Sequence, residues 1–172
     1  MSLPLNDMKT ERITHTFDPV FDSKSRVLVL GTMPSPKSRE LGFYYSHPRN
    51  RFWPVLAKIF EEKIPETPEE KTVFCLRHKI ALWDVLKECD IEGASDSSIK
   101  NALPNDIGII LKNADIQAIF CTGTTAAKLY KKFIEPETKI PAIALPSTSP
   151  ANAKVKFDEL VEEYKIILEY LK

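Results

Sequence analysis

Apolar and polar positions along the chain alternate between short continuous apolar runs and stretches of helical spacing. Residues 26–31 (RVLVLG) form the first run, which ends in glycine and fits a strand buried on both faces, as in a parallel sheet. Residues 80–85 (IALWDV), 116–121 and 140–145 repeat this pattern. Between the first two, residues 51–62 place Phe52, Val55, Leu56, Ile59 and Phe60 on one side of a helix, with Pro54 tolerated in the first turn. Thr67, followed by Pro68 and two glutamates, opens another helix as an N-cap. Residues 104–113 read as a helix, and Thr122-Gly123-Thr124-Thr125 turns into one reaching about Ile134. A long amphipathic helix is predicted from about Asn152 to Leu171, carrying Phe157, Leu160, Val161, Tyr164, Ile167 and Leu168 at helical intervals. Residues 90–100 read as a polar loop, and residues 1–25 as a polar, irregular arm packed onto the rest.

Strands alternating with helices predict one α/β domain over residues 1–172, a three-layer α/β/α arrangement around a central four-stranded, mainly parallel sheet. Such sheets bind ligands beyond the carboxyl ends of their strands. Two loops would project there, residues 32–50 and residues 146–153, and the first is long for a mere connection. With 172 residues, 43% hydrophobic and 28% charged, the chain can bury a real core.

The balance of 24 Lys+Arg against 24 Asp+Glu gives no overall pull toward nucleic acid, but the charges are unevenly placed. Lys24, Arg26, Lys37, Arg39, Arg49 and Arg51 face only Glu40 in that stretch, and a local basic patch is what a DNA-contacting face needs. Cys75, Cys89 and Cys121 share no short spacing, which argues against a disulfide framework or a metal site and for a reduced cytosolic setting. No run approaches the ~18 apolar residues of a membrane span, and the N-terminus has no signal-peptide core.

The first loop crowds aromatic rings, hydroxyls, basic groups and a carboxamide together: GTMPSPKS at 31–38, then GFYYSHPRNRFW at 42–53. Tyrosine and phenylalanine can stack on a base, and small serines let a backbone approach phosphate. The second loop, LPSTSPAN at 145–152, is rigid, small and hydroxyl-rich just ahead of a helix. Asn50 stands before a helix and could serve simply as its cap. His47 reads as a loop-fixing hydrogen-bond residue, Tyr44 and Tyr45 could be rim packing, and Asp84 and Asp96 could be turn residues or could touch the pocket.

Taken together and in this order, GTMPS after an apolar strand, GFYYSHPRNRFW and LPSTSPAN resemble the uracil-DNA glycosylase superfamily, and most of all its hypoxanthine-DNA glycosylase branch. The resemblance spans roughly Phe17 to the C-terminus. It implies a monofunctional enzyme that flips a damaged nucleotide out of the duplex and hydrolyses its N-glycosidic bond. Tyr45 falls where the family stacks an aromatic ring on the base, with Tyr44 in reserve, and Gly31, Thr32, Met33 and Ser147 fall among the base-binding positions. Ser35 and Ser149 match residues that pinch phosphates. Lys37 and Ser38 extend that DNA contact, and Pro150, Ala151 and Asn152 lie in the loop that fills the vacated stack. Many members place Asn or Asp where this chain has Met33, and a thioether cannot activate water, so the catalytic role is expected at Asn50.

The implied partner is DNA containing a deaminated base, hypoxanthine or alternatively uracil, bound by a monomer with no metal and no organic cofactor. No lysine in the motifs is placed to form a Schiff base. Two other readings stay open on the residues: a non-catalytic lesion-binding protein, and a small-molecule nucleotide hydrolase.

Overall fold

A computed structural model describes residues 10–172, so the first nine residues of the expected arm lie outside the described residues. In chain order the first half contains β1 (Thr10–Thr14), β2 (Val27–Gly31), α1 (Pro36–Leu41), α2 (Phe52–Phe60), α3 (Pro68–Arg77) and β3 (Ile80–Asp84). Next come β4 (Leu86–Glu92), β5 (Ser95–Pro104), α4 (Gly108–Leu111) and β6 (Ala118–Thr122). The last third holds α5 (Thr124–Phe133), α6 (Glu135–Thr138), β7 (Ile143–Leu145), α7 (Phe157–Tyr164) and α8 (Ile166–Glu169).

The apolar runs form a four-stranded sheet in the order β3-β2-β6-β7, parallel at every pairing. Every residue of β2, β3 and β6 is buried, which is why these strands read as unbroken apolar runs. Leu28, Leu30, Leu82 and Phe120 are among the largest fully buried side chains, and each contributes about 1.5–3 kcal/mol by leaving water. From β2 the chain steps to β3 on one side, then returns to β6 and β7 on the other. Right-handed crossovers running in opposite directions put their helices on opposite faces, giving the three layers. The reversal also creates a switch point between β2 and β6, where a crevice opens beyond the strand ends.

A second sheet departs from the sequence reading. Strands β1, β4 and β5 form an antiparallel sheet in the order β1-β4-β5, so the segment expected as a polar loop at 90–100 is most of a hairpin. Its turn is Gly93-Ala94, with Gly93 at φ +57 in the first loop position, a conformation that glycine adopts freely. The segment looks like a loop because most of β5 is exposed and built from serine, asparagine and aspartate. The arm likewise becomes a strand from Thr10, held to β4 by a polar ladder in which Arg12 pairs with Glu88 and Asp90. Beyond it, Val20 exchanges two backbone hydrogen bonds with Leu82 and blunts the open side of β3.

Two helices are shorter than their patterns. In place of a helix over 104–113 the structure has the single turn α4, ahead of which Asp106 accepts the Gly108 amide. The long C-terminal helix starts only at Phe157 and divides into α7 and α8. The Arg51 guanidinium bonds the carbonyls of Asn152 and Val155, fixing the chain before α7 in a non-helical path. The first loop contains the short helix α1, capped by Ser35 at its start and Gly42 at its end. Thr67 caps α3 as its sequence predicts, accepting the Glu70 amide at 3.1 Å, with Pro68 as the first helical residue.

Candidate active site at the carboxyl edge of the parallel sheet

Each strand of the parallel sheet delivers a small or polar residue to its carboxyl edge: Gly31 from β2, Asp84 from β3, Thr122 from β6 and Ser147 just past β7. The two suspect loops close over that edge. A Cβ on Gly31 would lie 2.5 Å from Asp84 Oδ1, 3.1 Å from the Tyr45 hydroxyl and 3.5 Å from Thr122 Oγ1. Three polar atoms therefore ring the Gly31 α-carbon, and only glycine leaves them room. Beyond it, the backbone N–H groups of Thr32 and Met33 donate to no acceptor among the described residues, while the Thr32 carbonyl takes the Leu86 amide. The Met33 side chain is half-buried against the core.

Tyr45 is the most constrained ring of the site. Its φ of +52 lies in the left-handed region, which a bulky residue adopts only when its surroundings enforce it. They do so here: the ring stacks on Phe52 with centroids 3.9 Å apart and planes 15° apart, and its hydroxyl meets Thr122 Oγ1 at 3.1 Å. Burial, and then the nearby Asp84 charge, hold the phenol well above its ordinary pKa, so it stays an O–H group at neutral pH. Tyr44 is different. It is buried, its hydroxyl donates to the Asp18 carbonyl at 2.7 Å, and its carbonyl accepts the Trp53 indole N–H. The structure thus gives the reserve stacking residue a core position.

Asn50 lies one residue before Arg51, the N-cap of α2, and its side chain serves the first helical amide and also reaches the second loop. Its Oδ1 accepts the Phe52 amide at 2.9 Å and the Thr148 hydroxyl at 2.8 Å. An amide N–H can only donate, so the atom facing Phe52 has to be the carboxamide oxygen, and the orientation of the side chain follows. The Nδ2 group makes no hydrogen bond among the described residues. Asn50 therefore offers donors to a ligand, with its acceptor already occupied. Thr148, buried by β7, was not singled out in the sequence although it lies within the second motif. His47 Nδ1 accepts the Arg49 amide at 3.0 Å, the loop-fixing role its position suggested.

The basic and hydroxyl residues divide into outward and inward sets. Ser35 caps α1, accepting the Ser38 amide and donating to Ser38 Oγ. Ser38 itself is buried, and its hydroxyl accepts the Ser46 amide, so burial removes it from direct contact with DNA. Arg51 leaves the basic patch as well, because its guanidinium is bound to carbonyls of the second loop and the turn behind it. Arg49 is exposed, and Lys37 is partly exposed with only a loose 3.5 Å pairing to Glu40. The second loop is internally bonded: Ser147 Oγ accepts the Ser149 amide, Ser149 Oγ accepts the Ala151 amide, and Asn152 Nδ2 donates to the Ser147 carbonyl. Pro150 and Ala151 lie at its tip, with Ala151 exposed.

The profile of the family described as "Uracil DNA glycosylase superfamily" matches residues 19–172. The chain belongs to that superfamily. Two relatives bear the name hypoxanthine DNA glycosylase. The one from Methanosarcina acetivorans is 32% identical over 146 residues, covering 83% of this chain and 90% of the relative. That from Methanosarcina barkeri is 33% identical over 143 residues, covering 80% and 87%. A solution NMR structure from Methanosarcina acetivorans, described as a candidate uracil DNA glycosylase, superposes with a TM-score of 0.78 at 27% identity over 92% of this chain and 98% of that one. Family and relatives agree on a DNA glycosylase, a hydrolase of N-glycosyl bonds acting on DNA.

Among the described residues of this superfamily member, no cluster of His, Cys, Asp or Glu is arranged to hold a metal ion, and no helix is long and apolar enough to cross a membrane. The three cysteines are free and buried, and burial pushes the Cys121 thiol up to about 12, far from a reactive thiolate. Three residues that complete the site were given no role in the sequence reading: Thr122, Thr148 and His15. Thr122 carried a signal, being a hydroxyl that closes an otherwise apolar strand, as the Asp84 carboxylate does.

Proposed function

We propose that this protein is a monofunctional DNA glycosylase that releases a deaminated base, hypoxanthine foremost and uracil second, leaving an abasic site. The observation that carries the reading is Asn50. Its carboxamide oxygen is held by the Phe52 amide and the Thr148 hydroxyl, and its N–H groups meet no acceptor among the described residues. In this reading the nucleotide is extruded into the crevice, because its glycosidic bond is out of reach inside the stack. Tyr45 already has Phe52 against one face, and its other face receives the base. The free amides of Thr32 and Met33, with Ser147, bind the edge of the base above Gly31.

Asn50 holds the attacking water by donating to its oxygen. It orients the water without taking a proton from it, which suffices if bond breaking runs ahead of attack and the sugar develops oxocarbenium character. Ser35, Lys37, Ser149, Pro150, Ala151 and Asn152 meet the DNA backbone on either side. The protein works as one domain and a monomer, in the cytoplasm, without metal or organic cofactor.

The test is a set of matched oligonucleotides carrying hypoxanthine, uracil or xanthine, incubated with the intact protein. Release of free hypoxanthine at the highest kcat/KM, with an alkali-labile abasic site left behind, is the expected result. Binding without release of any base would identify a lesion-binding protein, and turnover of free nucleotides alone would identify a small-molecule hydrolase. Either outcome sinks the glycosylase reading.

A further inference from the structure

The guanidinium of Arg51 is partly buried, and among the described residues no carboxylate pairs with it. Its partners are backbone carbonyls. Nη1 donates to the Val155 carbonyl, and Nη2 donates to the carbonyls of Asn152 at 2.9 Å and Ser149 at 3.4 Å. The Arg51 backbone amide donates in turn to the Thr148 carbonyl at 3.1 Å. One step back in the chain, Asn50 Oδ1 accepts the Thr148 hydroxyl at 2.8 Å. Two consecutive residues of the first motif thus hold Thr148, Ser149, Asn152 and Val155. Arg51 is itself firmly placed. It is the N-cap of α2, its carbonyl accepts the Val55 amide at 2.9 Å, and the residues that follow it, Phe52 and Trp53, are buried.

A partly buried cation without a carboxylate is costly, because carbonyl dipoles replace only part of its hydration. A loop that served only as a connection would satisfy these carbonyls with water, or by extending α7 backwards. Here they converge on one planar fork, whose rigid donors suit several acceptors at once. The chain bent around that fork carries Pro150 and Ala151 at its tip, with Ala151 exposed. A methyl group has little reach and little apolar area of its own. So short a tip fills a gap in a base stack only if the backbone beneath it is stiff. We infer that Arg51 is a positioning residue that locks the second loop to the Asn50 segment. Filling the vacated stack and aligning Asn50 then happen as one rigid docking.

The inference rests on the glycosylase reading above, with residues 150–152 entering the stack. Extruding a base costs most in a paired, stacked duplex and least in a single strand, where there is little stacking to replace. Loss of the lock therefore costs more on a duplex than on a single strand, whereas general damage to the fold costs both alike. The bonds from the Arg51 amide and from Asn50 to Thr148 do not use the guanidinium. Removing the guanidinium thus loosens the loop from Ser149 onward while the contact at Thr148 is kept.

The test measures single-turnover release of hypoxanthine from matched duplex and single-stranded oligonucleotides by wild type, Arg51→Met and Arg51→Lys, below their unfolding transitions. A 2-aminopurine beside the lesion reports by its fluorescence how far the stack is opened in each complex. Wild type has first to release hypoxanthine from the duplex; if it does not, the glycosylase reading falls and takes the inference with it. Given that activity, Arg51→Met is expected to lose about tenfold or more in the ratio of duplex to single-strand release, and most of the fluorescence rise. Where wild type spares single strands, the fluorescence decides. Arg51→Lys keeps the charge without the fork, so it is expected to fall between the two, and it carries the test if Arg51→Met does not fold. Equal losses on both substrates, or a fluorescence rise left unchanged, would overturn the inference as the mark of a structural role alone. So would release at the wild-type rate by both variants.

Discussion

The two sheets of this protein are built on opposite principles, and their difference explains where the chemistry sits. The parallel sheet is buried through β2, β3 and β6, rigid, and ends in a row of small and polar residues at one edge. The antiparallel sheet is exposed over much of its surface and held by cross-strand polar contacts such as Arg12 with Glu88 and Asp90. Asn101 and then Arg12 hold the Asp90 carboxyl below its ordinary pKa, but these groups are solvated and the contact is screened by salt. A site needs groups fixed in place, and only the buried sheet provides that. The exposed sheet contributes at one point, where the chain leaving β1 brings His15 to Asp84.

The largest difference between the sheets is expected in stability. Leu30→Ala, in the fully buried β2, should cost about 2–5 kcal/mol in denaturant unfolding. Leu103→Ala, half-exposed on β5, should stay within about 1 kcal/mol. Similar losses from the two substitutions would show that the second sheet is as integral to the core as the first. A smaller effect is expected inside the site. Thr148→Val removes one of the two donors on Asn50 Oδ1 and should slow base release about tenfold while costing about 1 kcal/mol of stability. Unaltered release would mean that Asn50 is held well enough by Phe52 alone. The smallest effect belongs to the surface. Lys37→Ala should weaken DNA binding a few-fold for every lesion alike and flatten the log-log salt dependence by roughly one unit. A change in base preference instead would move Lys37 from the phosphate backbone into the pocket.

The same contrast governs what could be read from the sequence. Strands buried on both faces announce themselves as apolar runs, so β2 and β3 were legible almost to the residue. Strand β5 was not, because its residues satisfy a polar ladder and leave no apolar alternation to detect. Pairing between β1 and β4 is long-range and charged, which no local pattern encodes. The C-terminal helix was overextended because nothing local marks residues 152–156 as non-helical, and Arg51, distant in the chain, claims the carbonyls of Asn152 and Val155.

Within the site, the motif residues led to Tyr45 and Asn50, which the structure brings to Phe52, the first stacked on its ring and the second at its backbone amide. Tyr44 and Ser38 shared those motifs but turned inward, since neighbours in an irregular loop have no period to tell inside from outside. His15 carried no local signal, and its proximity to Asp84 exists only once the chain has folded.

The proposed catalysis rests on Asn50, and its most direct measurement is the single-turnover rate of hypoxanthine release by wild type and Asn50→Ala at saturating protein. Lost capping is expected to cost about 1 kcal/mol, so both proteins are compared below their unfolding transitions. A fall of about 10²-fold or more, with affinity for the hypoxanthine duplex kept within a few-fold, is the predicted result. Release at the wild-type rate would contradict the account and move catalysis elsewhere on the strand-end edge.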